Sequence, residues 1–116
     1  MYLDLAKGLK KNTKIMNGTF QRFNLEILQY SYHPYSEDDA DCELIIELST
    51  IIGDTLPDSA SLKINLYNDE GEIFLNEEYY ISSESFFSYD TFKISLYDNA
   101  KTLITAKSAR IYMSQS

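Results

Sequence analysis

From residue 23 onward, apolar and polar side chains alternate with a period of two in successive runs of strand length, the pattern of a strand with one buried face. In "FNLEILQYSY", Phe23, Leu25 and Ile27 alternate with Asn24 and Glu26, after which Leu28, Tyr30 and Tyr32 take the other parity. A parity switch inside one run predicts a bulge near Leu28, because one extra residue turns every later side chain to the opposite face. "CELIIELSTII" places Leu44, Ile46, Leu48 and Ile52 on one face, with Glu43, Glu47 and Ser49 opposite.

Two later runs nearly repeat each other: "LKINLYND" at 62–69 and "FKISLYDN" at 92–99. Leu62, Ile64 and Leu66 oppose Lys63, Asn65 and Tyr67, and in the same phase Phe92, Ile94 and Leu96 oppose Lys93, Ser95 and Tyr97. Each run leads through a turn, "NDEG" or "DNAK", into another strand-like run, "EIFLNEEYYI" or "TLITAKSARIYM". The spacing predicts a β-hairpin used twice. Any two strands that bury one face converge on this alternation, and internal duplication is the other reading; two copies are too few for a solenoid.

Strands are thus expected at 20–32, 43–52, 61–67, 72–81, 90–97 and 103–113, with Leu44, Ile46, Leu48, Leu62, Ile64, Leu66, Phe92, Ile94 and Leu96 as the core. If each strand reverses direction, alternate loops share a pole. One pole collects "YSEDDAD", "NDEG" and "DNAK"; the other collects "GDTLPDS" and "SSESFFS". Helical spacing occurs only at the start, where Tyr2, Leu5, Ala6 and Leu9 share one face of a short helix weakened by Gly8.

Composition narrows the class. At 116 residues the chain is one domain's worth, with room for a core that needs no disulfide or metal staple. The single cysteine, Cys42, excludes an internal disulfide and any Cys-rich zinc pattern. It also favours a reducing compartment. The opening "MYLDLAKGLKKNTKI" holds no apolar run of signal-peptide or membrane length, since Lys7, Lys10, Lys11 and Lys14 interrupt it; the expected location is the cytoplasm, unless a leader has been removed.

The net charge of −8 is unevenly spread. Residues 1–22 carry a balance of +4 and the remainder −12. The acidic body should repel nucleic acid and anionic membrane. The basic start is expected to be a solvated arm over residues 1–18, with docking on an acidic surface as the alternative.

Three constellations bear on chemistry. Asp39, Asp41, Asp69, Glu70 and Asp98 are the right residue types, on loops of one pole, for a calcium site. Solvated turns need the same residues, and no D-x-D-x-D-G loop is present. Cys42 and His33 flank one loop with Asp41 nearby, a Cys–His pairing in outline, but Asp39, Asp41 and Glu43 should raise the thiol pKa, and a lone Cys opening an apolar strand is ordinarily core filling. With no glycine-rich phosphate cradle, H-x-x-x-H or G-x-S-x-G, no catalytic residue, cofactor or metal ligand is assigned, and the chain is not expected to be an enzyme. Among ten tyrosines, Tyr30, Tyr32 and Tyr35 lead into the acidic loop and form the candidate recognition patch. A tyrosine platform also suits sugar rings, which makes a carbohydrate-binding module a further alternative.

Over residues 44–114, "LIIELST", "SLKINLYNDEGEIF", "FFSYDTFKISLYDN" and "ARIYMS" resemble the bacterial FxLYD-type domains and related small immunoglobulin-like sandwiches. The resemblance implies an accessory or interaction module without catalytic residues. The expected fold is therefore all-β: an antiparallel, immunoglobulin-like β-sandwich of six to seven strands over residues 19–116, with a short N-terminal extension and a small barrel as the competing architecture. The expected function is a non-catalytic protein-interaction or scaffold domain of an unidentified partner, with calcium binding at the acidic pole as the alternative. Exposed sheet edges invite pairing with a second copy.

Overall fold

A strand with one apolar face is stable only when that face meets another, and here two sheets supply each other's cover. The computed structural model describes residues 1–97 and 101–115. In chain order these form α1 (Tyr2–Lys11), β1 (Thr13–Ile15), α2 (Asn17–Gln21), β2 (Leu25–Pro34), β3 (Cys42–Thr50), β4 (Ala60–Tyr67), β5 (Ile73–Ile81), β6 (Tyr89–Leu96), α3 (Thr102–Thr105) and β7 (Ser108–Gln115). One sheet runs β1-β7-β4-β5 and the other β2-β3-β6, an all-β sandwich of seven strands. Four strand pairs are antiparallel, as expected. The β1–β7 pair is parallel.

All nine residues expected in the core are buried. The alternation survives most cleanly in β3, where Cys42, Leu44, Ile46, Leu48 and Thr50 are buried and the residues between them are half-buried. Phe20, Leu25, Leu103 and Ile111 complete the same cluster. Each such side chain contributes ~1.5 to 3 kcal/mol through removal of apolar surface from water. The parity switch in β2 is also present, as a register shift between Ile27 and Gln29 that leaves Leu28 exposed.

The second repeated run departs from expectation. β4 and β5 form the predicted hairpin, closed by Asn68 N–H donating to the Glu72 carbonyl at 2.9 Å. β6 pairs with β3, whereas β7 lies in the other sheet beside β4 and β1. The chain therefore crosses between sheets after Tyr97, through α3, instead of folding back. "LKINLY" and "FKISLY" occupy opposite sheets, and their apolar sides belong to one core. The matched phase reflects two faces that share that core.

Three boundaries also move. The first long run is not one strand from residue 20: Asn17–Gln21 is helical and β2 begins at Leu25. Ile52 lies beyond the end of β3 and is 79% exposed, not in the core. The last run begins as α3 and becomes strand only at Ser108.

The basic start is a packed element and not a solvated arm. Ala6 and Leu9 of α1 are buried, Tyr2 and Leu5 pack against the core, and β1 adds a strand to the first sheet. Thr13 ties this segment down, its hydroxyl donating to the Leu9 carbonyl at 2.7 Å and lying 2.8 Å from the Tyr32 hydroxyl. Among the described residues, no helix is long and apolar enough to cross a membrane.

Candidate functional site

Alternation puts Tyr30 and Tyr32 on one face of β2, their rings edge to face at 6.3 Å, and sets apart Tyr35, which has the opposite parity and lies one residue past the strand's end. Tyr32 faces inward and is buried, and desolvation holds its phenol well above its ordinary pKa. Tyr30 shares that face and lies half-buried beneath α1, with Lys10 Nζ 5.3 Å from its ring centroid and partial desolvation raising its pKa. Tyr35 is on the outside, 48% exposed, its hydroxyl donating to Ser95 Oγ at 2.8 Å. The three do not form one surface.

Cys42 and His33 are separated for the same reason. Cys42 is fully buried opposite Pro34, while His33 is exposed with Nε2 2.6 Å from Ser31 Oγ. Burial, with Asp41, Asp39 and Glu43 adding to it, pushes the thiol pKa up to about 12. A thiol held protonated inside the core, away from the histidine, makes no nucleophile.

At the acidic pole, two of the carboxylates, Asp39 and Asp41, are bonded into the fold. Asp41 Oδ1 accepts from the Thr102 backbone N–H at 3.4 Å and hydroxyl at 3.1 Å, fastening α3 to the loop before β3. Asp39 Oδ1 accepts from Asp41 N–H at 2.8 Å. Asp69 and Glu70 are exposed on a turn organised by Asn68, whose Oδ1 accepts from the Glu70 and Glu72 N–H groups at 3.0 Å each. Asp98 lies outside the described residues. Among the described residues, no group of three or more His, Cys, Asp or Glu side chains is arranged to hold a metal ion.

The opposite pole carries the more informative geometry. Its loops, residues 51–59 and 82–88, expose Ile51 at 45%, Ile52 at 79% and Phe87 at 67%. The backbone beneath is fastened at many points. Asn24 Nδ2 donates to the Ile52 and Thr55 carbonyls at 2.7 and 3.0 Å, and its Oδ1 accepts from Ile52 N–H at 2.9 Å. Thr50 Oγ1 donates to the Gly53 carbonyl at 2.6 Å. Ser88 joins the two loops, its N–H donating to the Asp54 carbonyl at 2.7 Å and its hydroxyl to Asp54 Oδ1 at 3.0 Å. Leu56 and Phe86 anchor each loop in the core.

Left-handed backbone occurs at both poles, at Gly71 and Lys101 (φ 78° and 60°) beside the acidic loops and at three residues here. Asn24, Gly53 and Ser88 take left-handed φ values of 61°, 66° and 69°. Glycine and asparagine tolerate that region, but a serine there costs about 1 kcal/mol or more. Hydrogen bonds and strained backbone together hold two isoleucines and a phenylalanine out in water. Alternation arguments miss such a site because it lies between strands. Its sequence signal is two apolar pairs, Ile51-Ile52 and Phe86-Phe87, inside otherwise polar turns.

No family model matches the chain, and no curated protein sequence does so significantly. Among solved structures it is similar to Campylobacter jejuni cj0090, with a TM-score of 0.51 at 12% identity over 90% of this chain and 98% of that one. It is more distantly similar to the uncharacterized lipoprotein yajI of Escherichia coli, with a TM-score of 0.41 at 12% identity over 78% of this chain and 55% of that one. A β-glucuronidase of Ruminococcus gnavus is similar over 78% of this chain and only 15% of its own length, with a TM-score of 0.26 at 9% identity. The cj0090 likeness bears on the fold alone: an arrangement that spans nearly the whole of both chains.

Proposed function

We propose that the chain is a non-catalytic protein-interaction domain that binds through the pole formed by residues 51–59 and 82–88. The observation that carries this reading is the exposure of Ile51, Ile52 and Phe87 on hydrogen-bonded loops. Exposed apolar side chains add nothing to the core, so a fold that pins their backbone through strained residues gains only in how they are presented. A pre-ordered loop also loses little conformational entropy on binding.

Charge selects the class of partner. The two loops contain Asp54, Asp58 and Glu84 and no lysine or arginine, which disfavours anionic membrane and nucleic acid. The fitting partner is a protein surface with an apolar pocket bordered by basic side chains. The resemblance to FxLYD-type domains supports the same reading, since those act as accessory or interaction modules. The single, buried Cys42 suits a reducing cytoplasm, which cell fractionation would check.

The test is quantitative capture from source lysate with the wild-type protein, Ile52→Ser, Phe87→Ser and, as a control on the outer sheet face, Tyr35→Ala. The two pole variants should each lose about tenfold or more in recovery of a shared partner, as truncation of an interface anchor does. Tyr35→Ala should not. Equal recovery by all four proteins would reject the pole as the binding site.

A further inference from the structure

β5 and β6 are edge strands of different sheets, yet they border the same flank of the sandwich, where the rings of Tyr79 and Phe92 lie 5.2 Å apart. Phe86 stacks on Phe92 at 6.2 Å and 18°. Tyr79, Tyr80, Phe86, Phe92 and Asp90 line a notch of about 150 Å³. Phe86 and Phe92 are buried and form its floor, while Tyr79 and Tyr80 are exposed at its side.

Asp90 makes this notch chemically specific. It stands opposite Leu48 in the ladder, on the inward parity of β6, and is exposed near the start of that edge strand. One carboxylate oxygen, Oδ1, accepts from Thr91 N–H at 2.8 Å. Among the described residues, no donor reaches the other oxygen and no cation pairs with it.

Other rings of this molecule already carry a cation. Lys10 Nζ lies 5.3 Å from the Tyr30 centroid and Arg110 Cζ 5.3 Å from that of Tyr67. Among the described residues, none stands over Tyr79, Tyr80, Phe86 or Phe92. Ring faces and a carboxylate both present negative potential, so they attract a cation and disfavour an anion. The volume admits one side-chain head and adjoining methylenes. Of the two basic side chains, arginine fits better, because a planar, weakly hydrated guanidinium can stack on a ring while donating in its plane to a carboxylate.

We infer that the notch between β5 and β6 receives an arginine side chain of the partner protein. The inference deepens the proposed function and rests on it: residues 82–88 supply both Phe86 in the notch and Phe87 at the pole, so the partner would place an arginine beside its apolar pocket.

The test uses the whole chain and free probes, so that it stands or falls apart from the pole. Acetyl-arginine amide, acetyl-lysine amide and the uncharged acetyl-citrulline amide are titrated at fixed ionic strength and followed by ¹H–¹⁵N NMR. Arginine should move resonances around Tyr79, Phe86, Asp90 and Phe92 in a saturable way, at least about fivefold more tightly than citrulline or lysine. Asp90→Asn should weaken it about fivefold, and Tyr79→Leu should do so on the aromatic side. Ile52→Ser should leave the titration unchanged, which separates failure of the notch from failure of the pole. Equal binding of citrulline, equal binding of lysine, or arginine shifts spread over every acidic loop would each overturn the inference, and none of these outcomes depends on a variant folding.

Discussion

The two ends of the sandwich use polar groups in opposite ways. At the acidic pole, Asp41 accepts from the backbone N–H and hydroxyl of Thr102, Asp39 accepts from Asp41 within its own loop, and charged side chains share the exposed surface with Tyr35, Ile73, Tyr97 and Ile104. At the other pole, Asn24, Thr50 and Ser88 fasten the backbone so that Ile51, Ile52 and Phe87 face solvent. Charge in a loop is thus a poor guide to function, since turns need carboxylates for their own hydrogen bonds. Apolar side chains held outward by a costly network have no such structural use.

That contrast breaks first at Thr102. It is fully buried, and its hydroxyl lies 3.0 Å from the Leu96 carbonyl and 3.1 Å from Asp41 Oδ1. Thr102→Val keeps the shape and removes the one hydroxyl proton that these two acceptors share, which should cost roughly 1 to 3 kcal/mol in urea denaturation. Partner capture at the far pole should be unchanged. A loss of capture by the folded variant would mean that the poles are coupled.

Asn24→Ala should affect both properties at once. It removes three side-chain hydrogen bonds and places alanine at φ 61°, for a loss of roughly 1 to 3 kcal/mol. Capture should fall with it, because the display of Ile52 is undone. Asn24→Gly should recover the backbone share of the stability and leave capture low. By contrast, Ile52→Ser should stay within about 0.5 kcal/mol of wild type, as exposed substitutions do.

Alkaline titration distinguishes the buried group beside the acidic pole. The Cys42 thiol is raised from its ordinary 9.0 to about 12 by burial and then by Asp41, Asp39 and Glu43. The folded state therefore keeps a proton that the unfolded state releases. The associated stability is fully present below about pH 9 and declines as pH rises from there towards about 12, by about 1.4 kcal/mol per pH unit for one proton. Cys42→Ala should flatten this decline in melts between pH 8 and pH 10. A wild-type slope below pH 10 in the variant would rule out Cys42 as its source, since Tyr32, whose phenol is raised in the same direction, adds a decline only above its ordinary 10.0.

The smallest expected effect is that of divalent cations. Calcium and magnesium at matched ionic strength should raise the melting temperature equally and slightly, by screening an acidic protein. A calcium-selective rise abolished by Asp69→Asn would make the acidic pole a metal site and erase the contrast between the two ends.

Period-two alternation was sufficient to place Leu44, Ile46, Leu48, Leu62, Ile64, Leu66, Phe92, Ile94 and Leu96 inside and to mark the bulge at Leu28, because side-chain direction in a strand is a local property of the backbone. The same locality made it legible that the loops 51–59 and 82–88 share a pole, where Ser88 bonds to Asp54. Which sheet each strand joins is a different kind of fact. The runs at 62–69 and 92–99 have the same phase, yet one turns back into a hairpin and the other crosses to the opposite sheet through α3. Nothing within eight residues records that choice, since it depends on which edges remain open and which apolar face still needs cover. Residues 1–15 divide along the same line: the spacing of Tyr2, Leu5, Ala6 and Leu9 marks the short helix, whereas its docking on β2 and the parallel pairing of β1 with β7 are tertiary facts that their charge does not record. The candidate site depended most on tertiary structure, because Asn24, Ile52, Phe87 and Ser88 are brought together by hydrogen bonds spanning up to 38 residues of chain, a distance over which no sequence period carries information.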